Sequence, residues 1–348
     1  MKSFIGNCRA PGFKGLRILL VPCLLIASPS ASAERTPFSD HPGTEKYAVI
    51  LSGAAAEPAY RERFDKWSLD LANILQQEYR YPADKIRLLV GGGRDDPAIA
   101  GACTAESLQR VLSELHEKVK PEDQIAFILI GHGTGQGDGA KFNLVGPDLT
   151  GQQFAAMLGR FSAQNIVVIN TTSSSHPFTG ELSAPGRVLV SSTRSGAEKY
   201  DTVFAEHFID ALIDHAADRD RNNRLSVWEA FLFANERTKT WYKEQGRLAT
   251  EHASLNDNGD AFFSTAPDPA KDDGSLAQVA FFDRPDLRLD SQSAQSADLR
   301  SSMHRLERAI ILLRNRKPYM NEDAYYRQLE SLLVDLARTT RAFNTQVK

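Results

Sequence analysis

The sequence contains little cysteine, with three residues among 348, at positions 8, 23 and 103. Cys8 and Cys23 lie in a leading segment that we expect to be removed, which leaves Cys103 without a disulfide partner. Small exported domains often rely on several disulfides, whereas a chain with one thiol must take its stability from a hydrophobic core. About 315 residues suffice for such a core and permit one large domain, alone or with an appendage.

The chain also lacks an apolar run long enough to cross a bilayer. Its leading run, Ile18 to Ile26, is about half the roughly 20 residues that a spanning helix needs. Four basic residues precede it, and Ala31-Ser32-Ala33 follows as a small-residue cleavage site. We therefore predict a signal peptide over residues 1–33 and an exported protein, periplasmic or extracellular, with no membrane span in the mature chain. Lipidation at Cys23 is an alternative, although Pro22 is a poor fit to the small residue expected before a lipidated cysteine.

An excess of basic residues is absent as well. The formal net charge is -3, and removal of residues 1–33 takes away Lys2, Arg9, Lys14 and Arg17 but no acidic residue, which gives -7. Nucleic-acid-binding proteins carry a basic surface, so this balance argues against a nucleic-acid partner.

Short apolar segments rich in β-branched residues alternate with segments of helical spacing. Runs of this kind, ended by Gly, Ser or Thr, are typical of strands buried on both faces of a parallel sheet. The predicted strands are Tyr47–Leu51, Ile86–Val90, Ile125–Ile130, Ile166–Ile169 and Arg187–Val190. The predicted helices are Ala59–Glu78, Thr104–Val119, Thr150–Phe161, Thr202–His215 and Leu225–Lys243. The alternation predicts an α/β fold with three layers and a mainly parallel sheet.

The last third of the chain has a different pattern. Residues 266–296 are rich in Asp, Gly, Pro and Ser and are interpreted as a linker. Residues 297–348 carry two apolar stripes at helical spacing, separated by Lys317-Pro318 and Asn321-Glu322-Asp323. This pattern predicts a helical hairpin that packs on the main domain or associates with a second copy or a partner, in the manner of a coiled coil.

In a parallel sheet, reactive groups lie just past the carboxyl ends of the strands. Here His132 follows the third predicted strand and a run of hydroxyl residues follows the fourth. With their neighbours, these ends resemble the legumain-like cysteine peptidases, which are relatives of the caspases. The likeness covers residues 47–264 and is carried by "FILIGHGTG", "VVINTTSSS", "GRVLVSSTRSG", "TVFAEHF" and "EHASLNDNGD". It implies a caspase-like domain over residues 34–265.

The resemblance matches His132 to the catalytic histidine of that family and places Thr172, 40 positions later, where the family has its nucleophilic cysteine. A thiol provides a reactive thiolate near neutral pH, whereas a hydroxyl must lose its proton to a base during the attack. Threonine is also β-branched, which crowds its approach to a carbonyl. We therefore expect a peptidase homologue without activity. The alternative is a hydrolase that uses Thr172, or a neighbour such as Ser173, with His132 as the base.

The segment after the fifth predicted strand matches the wall of the substrate pocket in caspase-like enzymes. By this resemblance, Ser192 and Arg194 are candidate substrate-binding residues, and Arg194 could pair with an acidic group of a bound peptide. A solvated loop arginine is the alternative. A cleft of this fold can hold an extended peptide at a sheet edge, so a peptide or protein ligand remains possible without catalysis.

A second motif lies at residues 218–229 and follows the twelve-residue calcium-loop template. Its oxygen donors are Asp218, Asp220, Asn222, the backbone carbonyl of Arg224, Ser226 and Glu229. Asn223 replaces the usual glycine at the sixth position, and asparagine enters the left-handed region more readily than most residues. The alternative is a polar helix connector whose side chains act as caps. The motif predicts a Ca²⁺ site with a structural role.

Overall fold

The computed structural model describes residues 36–39, 43–92, 96–135, 137–161, 165–283 and 294–346. The predicted signal peptide, with Cys8 and Cys23, lies outside these residues. None of the described helices is long and apolar enough to cross a membrane. Residues 36–346 belong to one compact unit over the described positions.

The main sheet has seven strands: β1 (Lys46–Ser52), β2 (Ile86–Val90), β3 (Ile99–Ala102), β4 (Gln124–Ile130), β8 (Asn165–Asn170), β9 (Arg187–Ser191) and β10 (Ser254–Asn256). Their order across the sheet is β10-β9-β8-β4-β1-β2-β3. All neighbouring strands are parallel except β9 and β10, which are antiparallel. A small antiparallel sheet of two-residue strands follows β4: β5 (Gly133–Thr134), β6 (Lys141–Phe142) and β7 (Leu149–Thr150).

Helices cover both faces of the main sheet and bury its alternating apolar side chains. On one face, α1 (Pro58–Gln77), α5 (Phe204–Ala211) and α6 (Val227–Glu244) pack on residues such as Ile50, Ile128 and Ile169. On the other face, α2 (Ala105–Lys118), α3 (Gly151–Leu158) and α4 (Ser175–Gly180) pack on Val49, Phe127 and Val168. Because successive strand residues point to opposite faces, both sets are buried. The predicted three-layer α/β fold is confirmed.

The helix ends follow from local hydrogen bonds. The side chain of Thr104 accepts a bond from Ser107 N–H and caps α2, and Thr150 forms a capping box with Gln153 at the start of α3. The helix predicted over Thr202–His215 is shorter than expected, since α5 begins at Phe204. Thr202 instead donates its hydroxyl proton to Thr171 O, which ties this residue to the end of β8.

The interpretation of residues 266–296 as a linker is wrong for residues 277–282. Ala277, Val279, Ala280 and Phe282 are buried in the core, and the segment pairs with the start of α6 through Val227 N–H to Ala280 O and Phe282 N–H to Leu225 O. A six-residue segment with five apolar residues is hidden when composition is averaged over a long polar window. Residues 284–293 lie outside the described part of the chain.

The predicted hairpin consists of α7 (Ala294–Asn315) and α8 (Glu322–Gln346). The helix α7 packs on the main domain through Ile311 and Leu312, and Arg308 Nη1 donates to Phe38 O at 2.9 Å. The tail therefore docks on its own domain, and α8 packs against α7 on the outside.

Candidate active site

The sheet order brings the two candidate catalytic segments to one edge. The strands β4 and β8 are adjacent and parallel, with Leu129 opposite Asn170, so the residues after each strand meet. Ser173 Oγ donates to the carbonyl oxygen of Gly133 at 3.2 Å, and Gly133 N–H lies 3.3 Å from the same hydroxyl. His132 and Thr172 thus sit in neighbouring turns, each two positions beyond its strand.

Gly133 is fitted tightly between these turns. A Cβ added there would lie 2.3 Å from the carbonyl oxygen of Ser173 and 2.8 Å from Thr172 Oγ1. Both distances are well below van der Waals contact, so a side chain at this position would separate the two strand ends. The backbone of Gly133 therefore lies directly against the turn that contains Thr172 and Ser173.

The hydroxyl of Thr172 points into the protein. Thr172 is 1 % exposed, and its Oγ1 donates to Asn170 Oδ1 at 2.8 Å. The backbone N–H of Thr172 donates to the same amide oxygen at 3.2 Å. Asn170 in turn donates its side-chain N–H to Thr179 Oγ1 at 3.1 Å. The amide of Asn170 therefore fixes both the hydroxyl and the backbone of Thr172.

The neighbouring hydroxyl groups are also occupied internally and buried. Thr171 Oγ1 donates to Leu129 O, and Ser174 Oγ donates to Gly196 O. Ser175 Oγ lies within hydrogen-bond distance of Ser191, Ser192 and Thr193. Within the described residues, none of the five hydroxyls from 171 to 175 is bonded to His132.

His132 lies in an aromatic environment. The ring is half-buried, and its edges pack against Tyr60 and Phe64, with ring centroids 4.8 Å and 5.0 Å away. Burial lowers the pKa of His132 below its usual value, and the charge of Asp201 opposes this shift. The imidazole is therefore favoured in its neutral form at pH 7, which is the form that can accept a proton.

Asp201 is a site residue that the sequence did not reveal. Its Oδ1 lies 4.0 Å from Nδ1 of His132, and its Oδ2 accepts a short hydrogen bond from the Tyr60 hydroxyl. Arg63 Nη2 is 3.8 Å from the same carboxylate. Asp201 comes from the loop after β9, whereas Tyr60 and Arg63 come from the first turns of α1. No local pattern links these segments, since only the tertiary fold brings them together.

The two candidate substrate-binding residues have different environments. Ser192 is fully buried and donates its hydroxyl proton to Thr172 O at 2.7 Å. Its hydroxyl is used to join two strand ends. Arg194 is exposed, and its Nε lies 3.2 Å from Oε1 of Glu198. Only Arg194 of this pair faces solvent.

The loop of residues 194–202 crosses the site and is held at several points. Ser174 N–H donates to Glu198 O, and the Glu198 carboxylate lies 2.5 Å from Nδ1 of His252. Glu251, which precedes His252 in the chain, is 2 % exposed. Its carboxylate accepts hydrogen bonds from Val203 N–H at 2.7 Å and Phe204 N–H at 3.3 Å. A buried carboxylate thus fixes the start of α5 and the end of this loop.

The calcium-loop motif forms a compact turn before α6. One carboxylate oxygen from each of Asp218, Asp220 and Glu229 can be chosen so that all three lie within 4.8 Å of one another. Asn223 adopts φ 62°, the left-handed conformation that the template requires at its sixth position. Burial, together with the charge of Glu229, raises the pKa of Asp220 to about 6. A cation between these carboxylates would offset their repulsion.

Two other proposed ligands, the side chains of Asn222 and Ser226, already make hydrogen bonds within the loop. Asn222 Oδ1 accepts a bond from Arg224 N–H at 2.7 Å, and the Arg224 side chain pairs with Asp283 at 2.9 Å. Ser226 caps α6 and shares a capping box with Glu229. Glu229 Oε1 accepts a bond from Arg219 N–H at 2.9 Å. The donor set therefore fits a cation at the three carboxylates, and the capping interactions predicted as the alternative are also present.

Comparisons with known proteins give weak likenesses. No family model matches the chain, and no curated protein matches it. The chain is similar to a structural-genomics target from Geobacter sulfurreducens, with 12% identity over 65% of this chain and 96% of that one and a TM-score of 0.41. It is also similar to a secreted cysteine protease, iotapain, from Bacteroides thetaiotaomicron, with 11% identity over 63% of this chain and 68% of that one and a TM-score of 0.40. At these scores, the interpretation of the site depends on its own residues and contacts.

Proposed function

We propose that this protein is an exported homologue of the legumain- and caspase-like peptidases that binds peptides without cleaving them. The observation that carries the proposal is the orientation of Thr172, whose hydroxyl donates to Asn170 and not to His132. A hydroxyl nucleophile needs a base within hydrogen-bond reach to remove its proton. The geometry at residues 171–175 provides no such pair among the described residues.

The cleft keeps features that suit a bound peptide. His132 presents a half-buried ring against Tyr60 and Phe64, and Arg194 is exposed on the loop after β9. An arginine head group can pair with a carboxylate of a peptide, and an aromatic wall can pack on an apolar side chain. We expect an extended peptide with an acidic group to bind here with its affinity reduced by Arg194→Ala.

The decisive experiment restores the thiol. Purified mature protein is assayed against a mixed peptide-substrate library as wild type, Thr172→Cys and the double variant Thr172→Cys/His132→Ala. We expect no cleavage by the wild type and His132-dependent cleavage by Thr172→Cys. Thr171→Cys is the matched control, because it introduces the same thiol one position away, where the native hydroxyl donates to Leu129 O.

Cleavage by the wild type that disappears in His132→Ala would contradict the proposal and favour the hydrolase alternative. Labelling of Thr172 or Ser173 by a hydroxyl-directed electrophilic probe, located by mass spectrometry, would identify the nucleophile in that case.

We also propose that the loop of residues 218–229 binds Ca²⁺, with Asp218, Asp220 and Glu229 as carboxylate ligands. The proposal is supported by the proximity of these oxygens and by the left-handed Asn223. Loops of this kind in extracellular proteins bind with a Kd of about 0.1 to 1 mM. At ten times the Kd, binding to the folded state alone stabilises it by about 1.4 kcal/mol. The expected rise in Tm should vanish in Glu229→Gln and persist in Glu244→Gln, an exposed control at the end of α6.

Export is the remaining part of the proposal and is supported by the sequence of residues 1–33. Amino-terminal sequencing of the protein recovered from its native compartment should give Glu34 as the first residue. A mature protein that still begins with Met1 would contradict the proposed cleavage of a signal peptide.

A further inference from the structure

One carboxylate joins two chain segments at the candidate site. Glu198 lies on the loop of residues 194–202, and its side chain is 12 % exposed. Its Oε2 accepts hydrogen bonds from the backbone N–H groups of Arg194 at 2.9 Å and of His252 at 3.1 Å. Its Oε1 lies 3.2 Å from Nε of Arg194 and 2.5 Å from Nδ1 of His252. An arginine and a histidine therefore share the negative charge of Glu198.

Arg194 uses its inner nitrogen for this contact. Its side chain is 57 % exposed and meets Glu198 through Nε. Among the described residues, none accepts a hydrogen bond from the two terminal nitrogens of this guanidinium. Such a pair of N–H groups suits a two-point contact with a carboxylate of a bound peptide. The negative charge of Glu198 opposes the approach of that carboxylate, so the state of Glu198 affects the binding.

The net charge around Glu198 depends on the protonation of His252. With a neutral imidazole, the charges of Arg194 and Glu198 cancel. With an imidazolium, the three side chains carry one net positive charge, and Glu198 is shared between two cations. Histidine is the side chain whose charge ordinarily changes between pH 5 and 8. A carboxylate at Arg194 is therefore attracted more strongly when His252 is protonated.

Two other titratable groups lie close enough to sense the charge of Glu198. Burial lowers the pKa of His176, and the charge of Glu198 opposes this shift. Burial raises the pKa of Glu251 to about 7, and the charge of Glu198 adds to this shift. Within the described part of the chain, neither side chain forms a hydrogen bond or an ion pair with the Glu198 carboxylate, whereas His252 forms both. His252 is therefore the titratable group that acts on Glu198 directly.

We propose that Glu198 and His252 make the binding of a peptide carboxylate at Arg194 dependent on pH, with tighter binding when His252 is protonated. This inference rests on the proposed peptide site and adds its regulation. The carboxylate can belong to an acidic side chain or to the carboxyl terminus of the peptide, because both present the same two oxygens to the guanidinium.

Fluorescence anisotropy with two labelled peptide pools tests the coupling on the full mature chain at pH 5.5, 7 and 8.5. One pool is blocked at both ends and has a fixed central aspartate. The other has asparagine at that position and a free carboxyl terminus, so the two pools distinguish the sources of the carboxylate. Peptide carboxylates stay ionised over this range. We expect the wild type to bind one pool about three- to fivefold more tightly at pH 5.5 than at pH 8.5, which is the size of an exposed charge interaction.

The variant His252→Gln keeps an N–H donor but does not titrate, so it should lose this part of the pH dependence. His132, His176 and Glu251 titrate in both proteins, and the difference between the two profiles isolates His252. His215→Gln is the matched control, because His215 is an exposed histidine in the turn before the calcium-loop motif, and it should follow the wild-type profile. Thermal melts verify that the variants are folded, and His252→Asn repeats the test with a shorter amide.

The outcomes separate this inference from the proposed peptide site. A wild type that binds neither pool at any pH contradicts the peptide site and, with it, the inference. Binding that changes with pH equally in the wild type and in both amide variants of His252 overturns the inference alone and leaves the peptide site standing.

Discussion

The buried carboxylate of Glu251 gives the sharpest stability prediction. Its oxygens accept bonds from Val203 N–H and Phe204 N–H, and Tyr242 Oη lies 3.2 Å away. Burial is the largest influence and raises the pKa of Glu251 from 4.5 to about 7, although the backbone bonds act in the opposite direction. Below pH 7 the folded protein therefore favours the protonated form of the Glu251 side chain.

The sign of the pH effect follows from proton linkage. Between pH 4.5 and 7 the folded state binds more protons at Glu251 than the unfolded state does, so the free energy of unfolding falls as the pH rises through this window. With one pKa unit equal to 1.36 kcal/mol, the contribution lost between pH 5 and pH 8 is about 2.5 kcal/mol. The variant Glu251→Gln cannot ionise and lacks this loss.

The assay is urea unfolding of wild type and Glu251→Gln at pH 5, 6, 7 and 8. We expect the variant to gain about 2.5 kcal/mol relative to the wild type between pH 5 and pH 8, because the amide resembles the protonated acid. The difference between the two proteins is the quantity to compare, since Asp220 and Asp273, with pKa values raised to about 6, titrate in both. Parallel pH profiles for the two proteins would refute the reasoning about Glu251.

Three further substitutions have clear expected outcomes. Gly133→Ala should destabilise the fold by about 1–3 kcal/mol, because its methyl group overlaps the backbone at Ser173; urea unfolding measures this, and an unchanged midpoint would contradict the tight fit. Phe154→Ala should cost about 3–5 kcal/mol, since this ring is fully buried between other rings, and a smaller loss in the same assay would indicate local collapse. Thr150→Ala removes the capping box of α3 and should lower the free energy of unfolding by about 1 kcal/mol. The variant should therefore have a lower Tm than Thr345→Ala, a control substitution at an exposed position near the end of α8.

The layers of the fold could be predicted from the sequence because burial imposes a regular pattern of apolar residues on strands and helices. A strand buried on both faces is apolar along its whole length, as Ile125–Ile130 shows, and the helices between such strands carry one apolar side. The helix starts at Thr104 and Thr150 were also predicted, since a hydroxyl residue before an apolar helical stripe is a local signal.

The short strands of the two sheets show no such pattern of apolar residues. The strand β3, with the sequence Ile-Ala-Gly-Ala, is an edge strand made mainly of small residues, and the strands of the small sheet have only two residues each. Strands of this kind are determined by their partners in the sheet, and their own residues show no clear period. The same applies to Ala277–Phe282, which pairs with the start of α6 and packs in the core.

The location of the candidate site could be predicted from the sequence, whereas the hydrogen-bond partners of its side chains could not. Strand order brings His132 and Thr172 to one edge, and that order follows from the alternation of strands and helices. The choice of Asn170 as partner of the Thr172 hydroxyl depends on side-chain torsions within one turn. The approach of Asp201 to His132 depends on a loop that starts two strands away. Neither arrangement changes the hydrophobic pattern, so no periodicity in the sequence reports it.

The short segment at Phe281 and Phe282 has a consequence for the synthesis of the chain. Lys46 Nζ and Gln124 Nε2 both donate to Phe281 O, at 2.7 Å and 3.0 Å, and Tyr81 Oη donates to Phe282 O at 2.9 Å. These bonds join residues 235, 157 and 201 positions apart, and such distant contacts form slowly because long loops must close first. The side chains of Lys46, Tyr81 and Gln124 therefore cannot form these bonds until the ribosome has added a further 235, 201 and 157 residues, respectively. A chain that ends before residue 281 cannot form these three bonds, which makes a truncated product a substrate for proteolysis.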